Sequence, residues 1–76
     1  MKITIENTDR IVQLNNVPAR IWEGETETGI KVIVFITRIA VADKDNPIVQ
    51  QQFQKELQET KAPTAEALSF PLKMIL

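Results

Sequence analysis

The chain lacks several side chains on which small proteins and enzymes often depend. Its 76 residues include no cysteine, no histidine and no tyrosine, and only two glycines. Disulfide bonds and thiolate or imidazole metal sites are therefore excluded. No general base with an ordinary pKa near neutrality is present, and the only serine, Ser69, has no base with an identifiable place beside it. We predict a protein with no catalytic residue, no metal and no cofactor.

The charges are nearly balanced, with nine basic and ten acidic residues. They form no basic cluster, so we expect no binding to a DNA or RNA duplex. The apolar run at 30–42 is shorter than the roughly 17–25 residues that span a bilayer, and it contains Lys31 and Arg38. Residues 1–6 alternate and lack the apolar core of a signal peptide. We therefore expect a cytoplasmic protein without membrane contact.

The first part of the chain alternates between apolar and polar residues, which is typical of strands. The alternation and the intervening polar residues predict three strands, over residues 3–5, 10–14 and 17–26, with a turn at 7–9. Asn15 and Asn16 lie between the second and third of these, and asparagine tolerates positive φ. They predict a two-residue type I′ hairpin turn. Strands that follow one another in sequence would then pair as an antiparallel meander.

The run from Ile30 to Ala42 predicts one long strand that is apolar on both faces. Gly29 precedes it and suits the positive φ of a turn. A small antiparallel sheet normally keeps one face in water, whereas this strand needs cover on both. A domain of this size buries only about 60% of the surface that its unfolded chain exposes. Barrel closure or the C-terminal segment could supply the cover, but we favour a homodimer or higher oligomer.

A helix is predicted over about 46–60. Asn46 is a good N-cap, and Pro47 suits the first helical position. Three apolar residues then recur at every fourth position, at Val49, Phe53 and Leu57. They form one narrow stripe, which can cover only part of one sheet face.

The C-terminal region is unusually apolar for a free tail. Residues 62–66 predict a loop or a helical turn capped at Thr64. Residues 70–76 predict a final strand, or a segment that docks on a neighbouring subunit. The whole chain, residues 1–76, is thus predicted to be a single α+β domain. It would contain an antiparallel meander of about four to five strands and one amphipathic helix.

Three side chains form the best candidate ligand or partner site. Arg20 and Trp22 share one face of the predicted strand at 17–26, and Arg38 interrupts an apolar face of the long strand. Tryptophan can stack on a base or a cation, and arginine can grip a phosphate or a carboxylate. The alternative is that Trp22 anchors the core or a subunit interface, with Arg20 stacked over it. Arg38 would then pair with a carboxylate inside the fold or across that interface.

Glu23, Glu25 and Glu27 alternate, so a regular strand would place them on one face. Clustered carboxylates can hold Ca²⁺ or Mg²⁺, but no motif fixes a ligand geometry here. The favoured interpretation is a solvated hairpin arm that discourages aggregation.

Four segments carry a resemblance to small bacteriophage and prophage proteins of unknown function, at residues 17–24, 35–41, 62–66 and 72–76. Asn16 departs from that pattern, since such sequences tend to have glycine in the turn. The resemblance implies an accessory phage gene expressed in a bacterial cytoplasm. Small accessory proteins of this kind often block host machinery or sequester host signals by stoichiometric binding.

These observations together predict a non-enzymatic, homo-oligomeric binding protein. Its role would be that of a counter-defence or host-takeover factor that binds a host protein or a nucleotide signal. A structural or assembly component of a phage particle is the first alternative. A carboxylate-dependent metal enzyme that uses Glu23, Glu25 or Glu27 is the second.

Overall fold

The chain folds as an antiparallel sheet followed by helices, in a computed structural model that describes residues 1–76. The elements are the strands β1 (Ile3–Leu14), β2 (Val17–Thr26) and β3 (Lys31–Ile36), the helices α1 (Pro47–Leu57) and α2 (Ala65–Ser69), and a 3-10 turn at Leu72–Met74. The strands pair in the order β1-β2-β3. The α+β class and the meander are confirmed. None of the helices is long and apolar enough to cross a membrane.

Local turn chemistry sets both hairpins. Asn15 and Asn16 have φ values of 51° and 67°, and both are positive as a type I′ turn requires. Gly29 has a φ of 87°, as predicted for the second turn. The bounds predicted for β2 are also confirmed.

The predicted break in the first strand is wrong, because β1 is continuous through residues 7–9. The pairing register shifts between Asn7 and Ile11, so three residues of β1 lie opposite Ile21 alone. This bulge takes the Ile21 carbonyl out of the ladder. The Thr8 hydroxyl replaces the lost donor, at 2.5 Å from the Ile21 oxygen. The polar residues that predicted a turn thus form a β-bulge instead.

The predicted strand at 30–42 is too long, because β3 ends at Ile36. The reason lies on the neighbouring strand. The Thr26 amide donates to the Ile30 carbonyl at 3.0 Å, so even-numbered residues of β2 direct their N–H groups toward β3. Pro18 belongs to that set and has no N–H. The ladder therefore lacks a donor at the place where β3 would have continued.

Helix α1 begins where its capping residues predict. The Asn46 side chain accepts from the amides of Ile48, at 3.1 Å, and Val49, at 3.3 Å. The helix ends at Leu57, before the predicted 60, because the next amides turn back to carbonyls three residues earlier. The predicted apolar stripe is half-buried, and no residue of α1 is fully buried.

The predicted C-terminal strand at 70–76 is wrong. Thr64 caps α2 as expected, through a 3.3 Å bond from the Ala67 amide. Pro71 then starts a turn in which the Met74 amide donates to the Pro71 carbonyl at 3.0 Å. Because proline has a fixed φ and no N–H, it favours such a turn over a ladder. The sheet therefore has three strands rather than four to five.

The core is small and lies on one face of the sheet. Its buried apolar residues are Ala19 and Ile21 of β2 and Ala67 of α2. Phe35 and Phe70 extend it, with ring centroids 6.4 Å apart. The short helix α2 and Phe70, just after it, therefore contribute to the cover of this face.

The segment after α1 runs along the outer edge of β1. The Lys61 amide donates to the Asn7 carbonyl at 3.2 Å, and the Asp9 amide donates to the Lys61 carbonyl at 3.0 Å. These bonds form an isolated parallel bridge between Thr8 and Lys61. The middle of the β1 edge is thereby covered at the bulge.

Candidate binding groove

Arg20 and Trp22 lie on the same face of β2, as the alternation predicted. Arg20 is paired in register with Ile36 and Trp22 with Val34 of β3. Residues paired across antiparallel strands project to one side of the sheet, so this face carries Arg20 and Trp22 beside the apolar side chains of Val34 and Ile36. The buried core residues Ala19 and Ile21 project to the other side.

The face ends in a groove of about 250 Å³. Arg20, Trp22 and Arg38 all line it, so the structure brings the three predicted residues together. The apolar walls come from four residues in three parts of the chain: Ile11, Ile36, Ile39 and Leu57. Sequence reasoning missed Ile11, which alternation alone does not connect to the site, and it assigned Leu57 only to the helix stripe.

Two side-chain bonds hold this end of the sheet in place. One Arg20 nitrogen, Nη1, donates to the Thr8 carbonyl at 2.9 Å. The Asn7 side-chain amide donates to the Leu57 carbonyl at 2.5 Å and attaches the end of α1 beside the groove. The bulge in β1 therefore orients the guanidinium of Arg20, whose other N–H groups remain available.

The prediction that Arg38 lies within an apolar strand face is wrong. Because β3 ends at Ile36, Arg38 lies in the segment after the strand and is exposed. Its guanidinium has no ion-pair partner in the chain, where Lys61 and Glu23 form the single salt bridge. The charge is therefore exposed and free to bind an anion.

The groove combines positive charge with apolar surface. No acidic residue lines it, whereas two arginines do. Trp22 is half-buried, so part of its ring stays accessible. Such a site suits an anionic ligand that carries a flat apolar group, because arginine binds oxyanions and tryptophan stacks on planar rings.

Glu23 lies on the opposite face and is buried, with an exposure of 8%. The Thr64 amide donates to its two carboxylate oxygens at 3.2 and 3.3 Å, and the Thr64 hydroxyl donates to Oε1. Lys61 Nζ lies 3.6 Å from Oε2. Burial by itself raises the pKa of Glu23, but the Thr64 hydrogen bonds and the Lys61 charge outweigh it and hold the pKa below its usual value. Glu23 is thus a structural carboxylate that joins β2 to α2.

The three alternating glutamates do not form a cluster. Glu25 is exposed on β2, and Glu27 lies beyond the end of that strand, in the turn. No group of three or more acidic side chains is placed to hold a metal ion. The prediction that all three share one strand face is wrong, because β2 ends at Thr26.

Comparisons with known proteins give no match: no protein-family model, curated protein or solved structure matches this chain. The resemblance to phage and prophage proteins therefore stays a prediction from sequence.

Proposed function

We propose that this chain is a non-enzymatic, homo-oligomeric binding protein, encoded by a phage and acting in the bacterial cytoplasm by sequestering a nucleotide signal. The groove is the observation that supports a nucleotide as the ligand. Arg20, Arg38 and the only tryptophan of the chain line it, and no carboxylate does. The phage setting and the counter-defence or host-takeover role rest on the sequence resemblance. A host protein is the rival ligand.

The chemistry of a nucleotide matches both parts of the groove. Its phosphate offers oxygens to the guanidinium forks, and charge-assisted bonds of this kind contribute about 1.5–3 kcal/mol each. Its base offers a planar face to Trp22, and stacking on an aromatic ring contributes about 1–3 kcal/mol. The volume of about 250 Å³ lies below the range of drug-sized pockets. We therefore expect it to hold no more than one nucleotide unit, with the rest of a larger ligand outside.

The first experiment screens thermal stability against nucleotides and cyclic dinucleotides. A ligand at about 100 times its Kd stabilises the folded state by about 2.7 kcal/mol. Because Trp22 is the only tryptophan, quenching of its fluorescence reports occupancy of the groove directly. We expect at least one compound class to give both responses.

Arg38→Ala tests the site, with Arg10→Ala as a matched control. Both arginines are exposed, but Arg10 does not line the groove. Arg38→Ala loses one charge-assisted bond to the ligand, which should weaken binding by roughly 10- to 150-fold. Arg10→Ala loses no bond to the ligand and should bind as the wild type does. Equal affinities for the two variants would contradict the proposal. So would the absence of any nucleotide response together with retention of a host protein in a pull-down.

A further inference from the structure

The outer edge of β3 is an open row of backbone hydrogen-bonding groups. Even-numbered residues of β2 face β3, and their partners on β3 are Val32, Val34 and Ile36. By alternation, Lys31, Ile33 and Phe35 direct their N–H and C=O groups away from the sheet. No backbone or side-chain bond outside the β2–β3 ladder involves any of these three residues.

This edge carries almost none of the features that protect sheet edges. Natural proteins cover an edge or interrupt it with proline, a bulge or inward charges. The β1 edge has both a bulge and the Lys61 bridge. β3 instead presents five consecutive apolar residues, 32–36, without proline, glycine or a bulge, and its single charge is Lys31 at one end.

The chain also exposes more surface than a compact monomer of its mass. Its accessible surface is 6308 Å², whereas a folded monomer of 8.6 kDa has about 4700 Å². The Cα radius of gyration is 13.7 Å, against about 11.4 Å for a compact chain of this length. The excess is about 1600 Å² per copy, or about 3200 Å² for two copies, which lies within the range of obligate homodimer interfaces.

We propose that a second copy of the chain pairs with β3 edge to edge, so that the two sheets form one continuous antiparallel sheet. The two-fold axis passes near Ile33, which then pairs with its own symmetry mate, while Lys31 pairs with Phe35 of the other copy. In this register all three outward residues have a partner on the other copy. Lys31, the only charged residue of β3, does not lie opposite Lys31 of the other copy. Antiparallel pairing of identical strands is self-complementary, as a two-fold interface requires. This inference rests on the self-association in the proposed function and specifies its interface.

Hydrogen exchange and sedimentation test the pairing on the full chain. We expect a species of twice the 8.6 kDa chain mass at micromolar concentration. The amides of Ile33 and Phe35 should become protected from hydrogen exchange as the dimer forms. Those of Val32 and Val34 are already protected in the monomer, because they bond to β2. A monomer at all concentrations would overturn both the self-association and this interface. Nucleotide binding by the groove would be tested separately.

A backbone change separates this interface from any other. Chemical synthesis can place an N-methyl group on the Ile33 amide, which removes an outward donor and leaves the ladder to β2 intact. Two symmetry-related hydrogen bonds are lost. Each loss raises the dissociation constant of the dimer by about tenfold, so dimerisation weakens by about 100-fold in total. The control is N-methylation of Ile5, whose amide faces outward on the β1 edge. Circular dichroism checks that both variants fold.

The outcomes are distinct. Weakening by Ile33 methylation alone supports the proposal. A dimer that tolerates this change, or that leaves the Ile33 and Phe35 amides unprotected, would overturn the β3 interface while self-association stands. Open rings or tubes in place of a closed pair would overturn the proposed symmetry and favour a structural phage component.

Discussion

Replacement of Glu23 by glutamine tests the contact that joins the sheet to α2. The carboxylate accepts bonds from the amide and the hydroxyl of Thr64, and the same hydroxyl accepts from the Ala67 amide at the start of the helix. Glu23→Gln keeps the shape of the side chain and one acceptor oxygen. It removes the negative charge that strengthens both Thr64 bonds.

The expected loss follows from the kind of bond involved. Bonds to a charged group contribute about 1.5–3 kcal/mol, and neutral ones about 0.5–1.5 kcal/mol. The Lys61 side chain is 42% exposed, so its ion pair adds less than about 1 kcal/mol. Because the glutamine oxygen can still accept from Thr64, we expect a net destabilisation of about 1–2 kcal/mol, or roughly 4–16 °C in Tm for a domain of this size.

The pH dependence provides a second measurement. The pKa of Glu23 is lower in the folded state than its usual value, so ionised Glu23 stabilises the fold above the ordinary glutamate pKa of about 4.3. That contribution is lost as the pH falls through the lower pKa of the folded state. The difference between the wild type and Glu23→Gln is therefore largest near neutral pH and shrinks below about pH 4.3.

Urea unfolding followed by Trp22 fluorescence measures both effects at one fixed protein concentration. Glu25→Gln is the matched control, because Glu25 lies on the same side of β2 but is exposed and makes no side-chain bond. It should change stability by less than about 0.5 kcal/mol. Equal stability of the two variants at pH 7, or a Glu23→Gln deficit that persists in acid, would refute the assigned role of Glu23.

Two further changes test the β1–β2 pairing. Gly24→Ala should largely unfold the chain, because the added Cβ would collide with the Thr4 carbonyl oxygen and lie 2.7 Å from the Ile5 Cα. Unfolding would be measured as loss of the folded circular dichroism spectrum. Thr8→Val keeps the side-chain shape but leaves the Ile21 carbonyl without its donor, which should cost about 1–3 kcal/mol in urea unfolding. Thr4→Val, at an exposed position of the same strand, should be nearly neutral.

Features set by neighbouring residues could be predicted from sequence. Asn15 and Asn16 determine their own turn through positive φ, and Asn46 and Pro47 determine the start of α1. The common face of Arg20 and Trp22 follows from the two-residue period of a strand. In each case the deciding chemistry lies within a few residues of the feature.

Features set by a distant residue could not be predicted. Pro18 on β2 ends β3, although the sequence around Ile36 continues to favour a strand. The Glu23 carboxylate is satisfied by Thr64, which is 41 residues away. The sequence predicts that Arg38 lies on an apolar strand face, whereas it lines the groove because it follows the end of β3. A sequence pattern shows the periodicity of one segment. These contacts depend instead on which distant segment of the chain packs beside it in the folded structure.

The bridge at Lys61 has a consequence for how far a sheet of this protein can grow. A sheet with two open edges can add copies without end, as amyloid does. Here the bulge and the Lys61 bridge divide one edge into two short pieces, and only the β3 edge is continuous. Once β3 is paired in the proposed dimer, no comparable edge remains to recruit a third copy. The bulge and the two hydrogen bonds of the Lys61 bridge would thus limit the proposed pairing to two copies, so that an apolar edge strand could pair without leading to a fibre.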